Sequence, residues 1–206
     1  MNLKISKKKF IYLISPNKIY PQFYKDLKEI LETGKVQFFQ MRLKKYSLKE
    51  KILIGKKIQQ ICKKNSTKFL VNDDPILSKK LNADGCHLGQ KDMDIKNARK
   101  IIGNKIIGVT CHNSIRLAKT AIKEKANYIA FGAFFSTITK KVKFKATTKI
   151  LNKAKKLTKV PIVAIGGINF DNYKKLLLNN ANLLAISSYV WNNKNYKPIE
   201  SIKKLK

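Results

Sequence analysis

Eight short apolar runs alternating with amphipathic stretches of helical length most constrain what this chain can fold into. The runs cover residues 10–14, 36–41, 69–71, 85–88, 106–109, 128–131, 162–165 and 184–187. Parallel strands need crossovers of a dozen residues or more, and the stretches between these runs supply them. The clearest spans 47–65. Ser47-Leu48-Lys49-Glu50 has the form of a capping box, and Leu48, Ile52, Ile58 and Ile61 recur at near-helical spacing. Residues 94–102, 113–125, 146–157 and 171–180 fit the same pattern. No linker or low-complexity block divides the chain, so residues 1–206 are expected to form one compact domain. The expected fold is an α/β (β/α)₈ TIM barrel, with a doubly wound open sheet as the alternative. Polar residues stand just after the strands: Arg42, Asn72, Asp73, Asp92, Thr110, Thr137, Gly166 and Ser188. In a barrel these positions converge on one face, where the active sites of such folds lie.

Charge has to be weighed before that face is assigned a chemistry. The chain carries 45 Lys+Arg against 12 Asp+Glu, a formal net charge of +33. Such a balance invites a nucleic-acid reading. Only Arg42, Arg99 and Arg116 are arginine, however, and the lysines are scattered through nearly every helix. Base and phosphate readers favour the planar fork of arginine, so nucleic acid is disfavoured as the main partner. The positive field still attracts anionic small molecules. No apolar run is long enough to span a membrane, and the first one is too short for a signal-peptide core. Cys62, Cys86 and Cys111 lack metal-ligand spacing, which fits reduced thiols in a cytoplasmic protein.

Against this basic background, carboxylates gathered at strand ends stand out. Asn72-Asp73-Asp74 follows one apolar run, and His87-Leu88-Gly89-Gln90-Lys91-Asp92 contains and follows the next. Two carboxylates at neighbouring strand ends can share Mg²⁺, which prefers oxygen ligands and keeps waters for a phosphate to replace. Asp74-Pro75 reads as an N-cap followed by a first-turn proline, and Asp94 as a second cap. That leaves Asp73 and Asp92 for metal, with Asp73 and Asp74 able to exchange roles.

Other strand ends offer sites for phosphate. Alternation sends Gln40, Arg42 and Lys44 to one side of their strand, pairing a guanidinium fork with a point charge suited to a diphosphate. The plainer alternative is a solvated basic edge. Thr137, Thr139 and Lys140 can bind a phosphate or form an ordinary surface loop. Gly166-Gly167 can bring backbone N–H groups to a phosphate, with Ser187 and Ser188 completing the pocket, or simply make a tight turn. Neither histidine belongs to a zinc pattern. His87, inside an apolar run, is expected to be a structural hydrogen-bonding residue, and His112 is the weaker candidate for acid–base work.

Taken together, Gln-x-Arg-x-Lys from Gln40, Asn72-Asp73-Asp74, His-Leu-Gly-Gln-x-Asp from His87, Gly-Val-Thr-x-His from Gly108, Thr-x-Thr-Lys from Thr137 and Ala-Ile-Gly-Gly-Ile from Ala164 form a specific signature. In this order the motifs resemble the thiamine-phosphate synthase family, which also includes thiazole tautomerases. The likeness runs from Tyr12 to about Val190. It implies a transferase that joins a hydroxymethylpyrimidine diphosphate to a hydroxyethylthiazole phosphate, releasing diphosphate through a dissociative, pyrimidine-cation-like step. It further implies Mg²⁺ on Asp73 and Asp92, and a leaving diphosphate neutralised by Arg42, Lys44, Asn72 and Lys140. Gln40 would orient the pyrimidine, and Thr110 would sit beside the reacting groups or the diphosphate. The thiazole phosphate would lie against Gly167, Ser187 and Ser188, with Thr137 and Thr139 closing the site. The expected partners are these small molecules, and the sequence is compatible with a homo-oligomer. Three departures stand out. Ala133 and Ser136 replace family prolines, Lys141-Val142-Lys143-Phe144-Lys145 is unusually basic, and Asn180-Ala181-Asn182-Leu183 replaces a glycine-containing turn. A tautomerase is the alternative within the family. A nucleic-acid-binding protein on a barrel scaffold is the more distant one.

Overall fold

A computed structural model describes residues 3, 5–6, 8–136 and 143–206. The strands are β1 Ile11–Ile14, β2 Val36–Met41, β3 Lys68–Asn72, β4 Gly85–Leu88, β5 Ile106–Thr110, β6 Tyr128–Gly132, β7 Ile162–Ile165 and β8 Leu183–Ile186. They close into a parallel barrel in sequence order, which decides against the open sheet. Closure is made by β1 against β8, with Ile11 opposite Leu184 and Tyr12 opposite Ala185. Helices α1 Phe23–Glu32, α2 Leu48–Lys64, α3 Pro75–Lys80, α4 Ile95–Ile102, α5 Ile115–Lys123, α6 Thr148–Leu157 and α7 Tyr173–Leu178 cover the outside. Short α8, Ser188–Trp191, and α9, Pro198–Lys204, complete the chain. No helix among the described residues is long and apolar enough to cross a membrane.

Period-two alternation sorts the strand residues into two apolar layers. Tyr12, Ile14, Phe38, Leu70, Tyr128, Val163 and Leu183 fill the barrel interior. Ile11, Leu13, Phe39, Phe69, Ile107, Ile129 and Leu184 face outward and pack under the helices. Fully burying one such large side chain contributes roughly 1.5–3 kcal/mol, so the two layers together dominate stability. Gly108 shows how tightly the inner layer is filled. A side-chain carbon on it would lie 1.8 Å from the Tyr128 ring, so only glycine admits that ring. The three cysteines are buried and form no disulfide.

Local signals account for several helix boundaries. Ser47 Oγ accepts from Glu50 N–H at 3.3 Å and Glu50 Oε2 accepts from Ser47 N–H at 2.8 Å, closing the expected capping box. Such a cap stabilises a helix by about 1 kcal/mol. Helix α1 has no side-chain cap at Gln22, and Pro21 just before it is the one mark of its start in the sequence. The run at 184–187 ends one residue early, because Ser187 leaves the strand to begin α8.

The N-terminal end of the barrel is closed by a repeated device. The residue before β4, β6 and β8 is Asp84, Asn127 and Asn182, respectively. Each exchanges two hydrogen bonds with the preceding strand. Asn127 N–H donates to Ile107 O at 2.7 Å while its Oδ1 accepts from Ile107 N–H at 2.8 Å. Asn182 does the same with Ile162, at 2.8 Å each way. Asp84 does so with Phe69, at 2.8 and 2.9 Å. The turn before Asn182 also explains the missing glycine: Asn180 adopts φ 72°, and asparagine is among the few residues that tolerate the left-handed region.

Candidate active site

At the end of β3, Asp73 has φ 62° while its N–H donates to His87 O at 2.8 Å, extending the ladder to β4. The next residue, Asp74, caps α3 by accepting from Leu77 N–H at 2.8 Å, with Pro75 in the first turn. Asp94 caps α4 through Asn97 N–H at 2.8 Å. Both caps fall where the sequence puts them, so each of these carboxylates is engaged by its helix, although Asp74 also lines the crevice beside Asp73. Asp73 and Asp92 remain, and their carboxyl groups are near enough to shift each other's titration.

Their surroundings treat the two carboxyls unequally. Asp73 Oδ2 lies 3.0 Å from Lys44 Nζ. Burial pushes the Asp73 carboxyl up, but Lys44, Asp92 and the Asn72 side chain outweigh it and hold it below the ordinary carboxylate range. Asp92 Oδ2 accepts from Gly89 N–H at 2.7 Å. For Asp92, burial raises the carboxyl, the Gly89 N–H opposes the rise and the negative Asp73 adds to it. Two carboxylates whose titrations oppose each other in this way are what a divalent cation neutralises together. Among the described residues no group of three or more His, Cys, Asp and Glu side chains surrounds a metal position. Mg²⁺ is suited to two carboxylates with waters and phosphate oxygens for the rest, so the donor set fits it. A crevice of about 290 Å³ lined by Lys44, Lys51, Asn72 and Asp73 opens beside the pair. Sequence reading missed Lys51, whose place in α2 says nothing about which loop it faces.

A second cluster joins β1, β2 and β8. The Arg42 N–H donates to Ser15 Oγ at 2.9 Å, and its guanidinium donates to Asn17 Oδ1 at 3.1 Å. Ser187 Oγ donates to Ser15 O at 3.2 Å, bringing the end of β8 to the same place. Ser188 opens α8 beside it. Buried Ser15 is the joint between these elements, and a serine one residue past a strand gave no signal of that in the sequence.

Gly166 and Gly167 have φ 106° and 63°. What approaches their backbone is the segment after β6. A side-chain carbon on Gly167 would lie 2.2 Å from Ser136 O, and Phe135 N–H donates to Gly166 O at 3.0 Å. Gly167 therefore stands at the root of the threonine loop. Thr137, Thr139 and Lys140 themselves lie outside the described residues. His112 stacks on Phe144 with ring centroids 4.4 Å apart.

Inside the mouth, Gln40 is buried, and its amide nitrogen donates to the Tyr12 hydroxyl. His87 is the hydrogen-bonding residue the sequence suggests, with Nδ1 2.8 Å from Tyr128 Oη and Nε2 2.8 Å from Thr110 Oγ1. Thr110 also accepts, through its carbonyl, from the Gln90 amide at 2.5 Å. Tyr12 and Tyr128 are polar residues of the site region that the sequence reading missed, because they sit within runs otherwise read as plain core.

Comparisons with known proteins bear on the family of the chain. Residues 11–190 match the family described as thiamine monophosphate synthase. A thiamine-phosphate synthase of Pelagibacter ubique is 65% identical over 200 residues, covering 97% of each chain. One from Erythrobacter litoralis is 41% identical over 88% of this chain and 87% of its own. The solved thiamine phosphate pyrophosphorylase of Pyrococcus furiosus superposes with a TM-score of 0.85 at 31% identity, covering 97% of this chain and 94% of that one. The chain belongs to the thiamine monophosphate synthase family.

Proposed function

We propose that this chain is a transferase making thiamine phosphate from hydroxymethylpyrimidine diphosphate and hydroxyethylthiazole phosphate. The observation that carries the reading is the Asp73–Asp92 pair flanked by Lys44 and Asn72 at one barrel mouth. Asp73 and Asp92 would hold Mg²⁺, which supplies Lewis-acid stabilisation to a departing diphosphate. Lys44, released from Asp73 when a cation takes its place, would neutralise that diphosphate together with Arg42, Asn72 and Lys140. The bond between the pyrimidine methylene and the diphosphate oxygen breaks, and its electron pair leaves with the oxygen. The thiazole ring nitrogen then gives its lone pair to the methylene carbon, forming the C–N bond.

The rest of the site positions the two reactants. Gln40 orients the pyrimidine at the barrel axis, and Thr110 stands beside the reacting groups. Gly167, Ser187 and Ser188 would hold the thiazole phosphate, with Thr137 and Thr139, outside the described residues, assigned to the same ligand. Rate enhancement then comes mainly from positioning and from charge stabilisation of the leaving anion. A tautomerase is not favoured: the relatives above are synthases and a pyrophosphorylase, and isomerising a thiazole carboxylate gives no use to a paired-carboxylate site.

The test is product formation by purified protein given both substrates, with Mg²⁺ or with chelator. Thiamine phosphate is expected only with Mg²⁺. Folded protein that forms no product under either condition would overturn the reading.

A further inference from the structure

Gln40, Tyr12, Tyr128, His87 and Thr110 come from five strands, and their polar atoms form one unbroken line through the barrel interior. The Gln40 amide nitrogen donates to Tyr12 Oη, which lies 2.7 Å from Tyr128 Oη. From there the line passes through the two ring nitrogens of His87 to Thr110 Oγ1, at 2.8 Å on each side. Tyr12 and Tyr128 are 1% and 0% exposed, so solvent cannot rearrange the line from its middle.

With the Gln40 amide nitrogen as the donor, counting protons sets its direction. Each hydroxyl owns one proton, and a neutral imidazole has one donor and one acceptor nitrogen. With Gln40 donating, the proton of Tyr12 goes to Tyr128, its one remaining neighbour in the line. The Tyr128 proton then goes to His87 Nδ1. That leaves the ring proton on Nε2, which donates to Thr110 Oγ1. The Thr110 proton has no acceptor among the described residues and is free for the mouth. The opposite direction requires the Gln40 amide to be turned over, and it makes Thr110 donate inward. His87 is only 8% exposed and its two ring nitrogens meet only hydroxyl groups, so a neutral ring is what the site accommodates.

We propose that Tyr12, Tyr128 and His87 are positioning residues whose hydrogen-bond line commits the Thr110 hydroxyl to donate into the mouth, toward an anionic oxygen of the bound ligand. This rests on the functional reading above only for what Thr110 faces. The direction of the line is a property of the ligand-free protein.

The chain has two histidines, so nitrogen NMR of ¹⁵N-labelled protein resolves the question directly. His87 is identified as the imidazole that remains in His112→Gln, or, if that variant does not fold, as the one lost from the wild-type spectrum in His87→Gln. The expected result in ligand-free protein near neutral pH is a neutral ring with the proton on Nε2 and a bare Nδ1. A proton on Nδ1, or one averaged between the nitrogens, would overturn the proposal. Tyr128→Phe should release the tautomer and lower kcat by about tenfold with KM little changed, as loss of an outer hydrogen-bonding partner does. At the surface end, Thr110→Val should lower kcat by about a hundredfold, the lower range for losing one donor to a developing anion, and Thr110→Ser should restore most of it. Equal kcat in the Val and Ser variants would also overturn the proposal. If the wild type forms no product at all, the functional reading fails, and the tautomer still decides the direction of the line.

Discussion

The two ends of the barrel both carry polar side chains, but they use them differently. At the N-terminal end Asp84, Asn127 and Asn182 each hold the backbone of the preceding strand, and Asp84 also pairs with Lys68 at 2.8 Å. At the C-terminal mouth Asp73 and Asp92 face each other, and Lys44 leans on Asp73 from an exposed position. One end is satisfied from within. The other holds an unequal carboxylate pair that a cation and an anion would complete. A polar residue beside a strand thus reads as structure where it holds the preceding strand, even with a cation beside it as at Asp84, and as chemistry where like charges are brought together.

Substitutions at the two ends should separate stability from activity. The largest effect is expected from Asp92→Ala, which should lower Mg²⁺-dependent coupling by about a thousandfold or more, as for the loss of a principal electrostatic contact. Its melting temperature should hold or rise, since a like-charged neighbour of Asp73 is gone. Unchanged turnover would remove Asp92 from the metal site. Next comes the pH dependence of folding, measured by denaturant titration. His87 is pushed down to about 4 in the folded chain from an unfolded value near 6.5, so the unfolded state binds more protons between those values. The stability that neutral His87 provides is therefore complete above pH 6.5 and lost as pH falls toward 4, by roughly 3 kcal/mol in all. His87→Gln should flatten that part of the profile, and an unaltered slope would contradict the assignment. The smallest effect is expected at the far end. Asn182→Ala leaves the Ile162 N–H without its partner and should cost about 2 kcal/mol of stability. Its kcat should match wild type, and a fall in kcat without a fall in stability would break the contrast between the two ends.

Much of this division was legible in the sequence, because period-two alternation and capping act locally. Residues 36–41, 85–88 and 162–165 are strands with the expected bounds, and Asp74 and Asp94 are caps. The same local rules isolate Asp73 and Asp92. What the sequence did not show depends on closure. Tyr12 and Tyr128 look like strand core until the barrel places β1 opposite β6 and brings their hydroxyls to 2.7 Å. Ser15 is an unremarkable residue until β2 and β8 both reach it. Helix α1 was missed for a different reason: it buries Phe23, Leu27, Ile30 and Leu31 but starts without a side-chain cap. Gly166 and Gly167 read in the sequence as admitting a phosphate, and what the fold brings against them is the segment before the threonine loop.

The central claim is that the carboxylate pair and its lysine form a site for Mg²⁺ and diphosphate together. Calorimetric titration of inorganic diphosphate into the purified protein, with Mg²⁺ and with chelator, tests it most directly when repeated on Asp73→Asn and Asp92→Asn. Binding is expected only with Mg²⁺, and it should disappear in both variants. Equal binding with chelator, or binding that survives loss of both carboxylates, would contradict it.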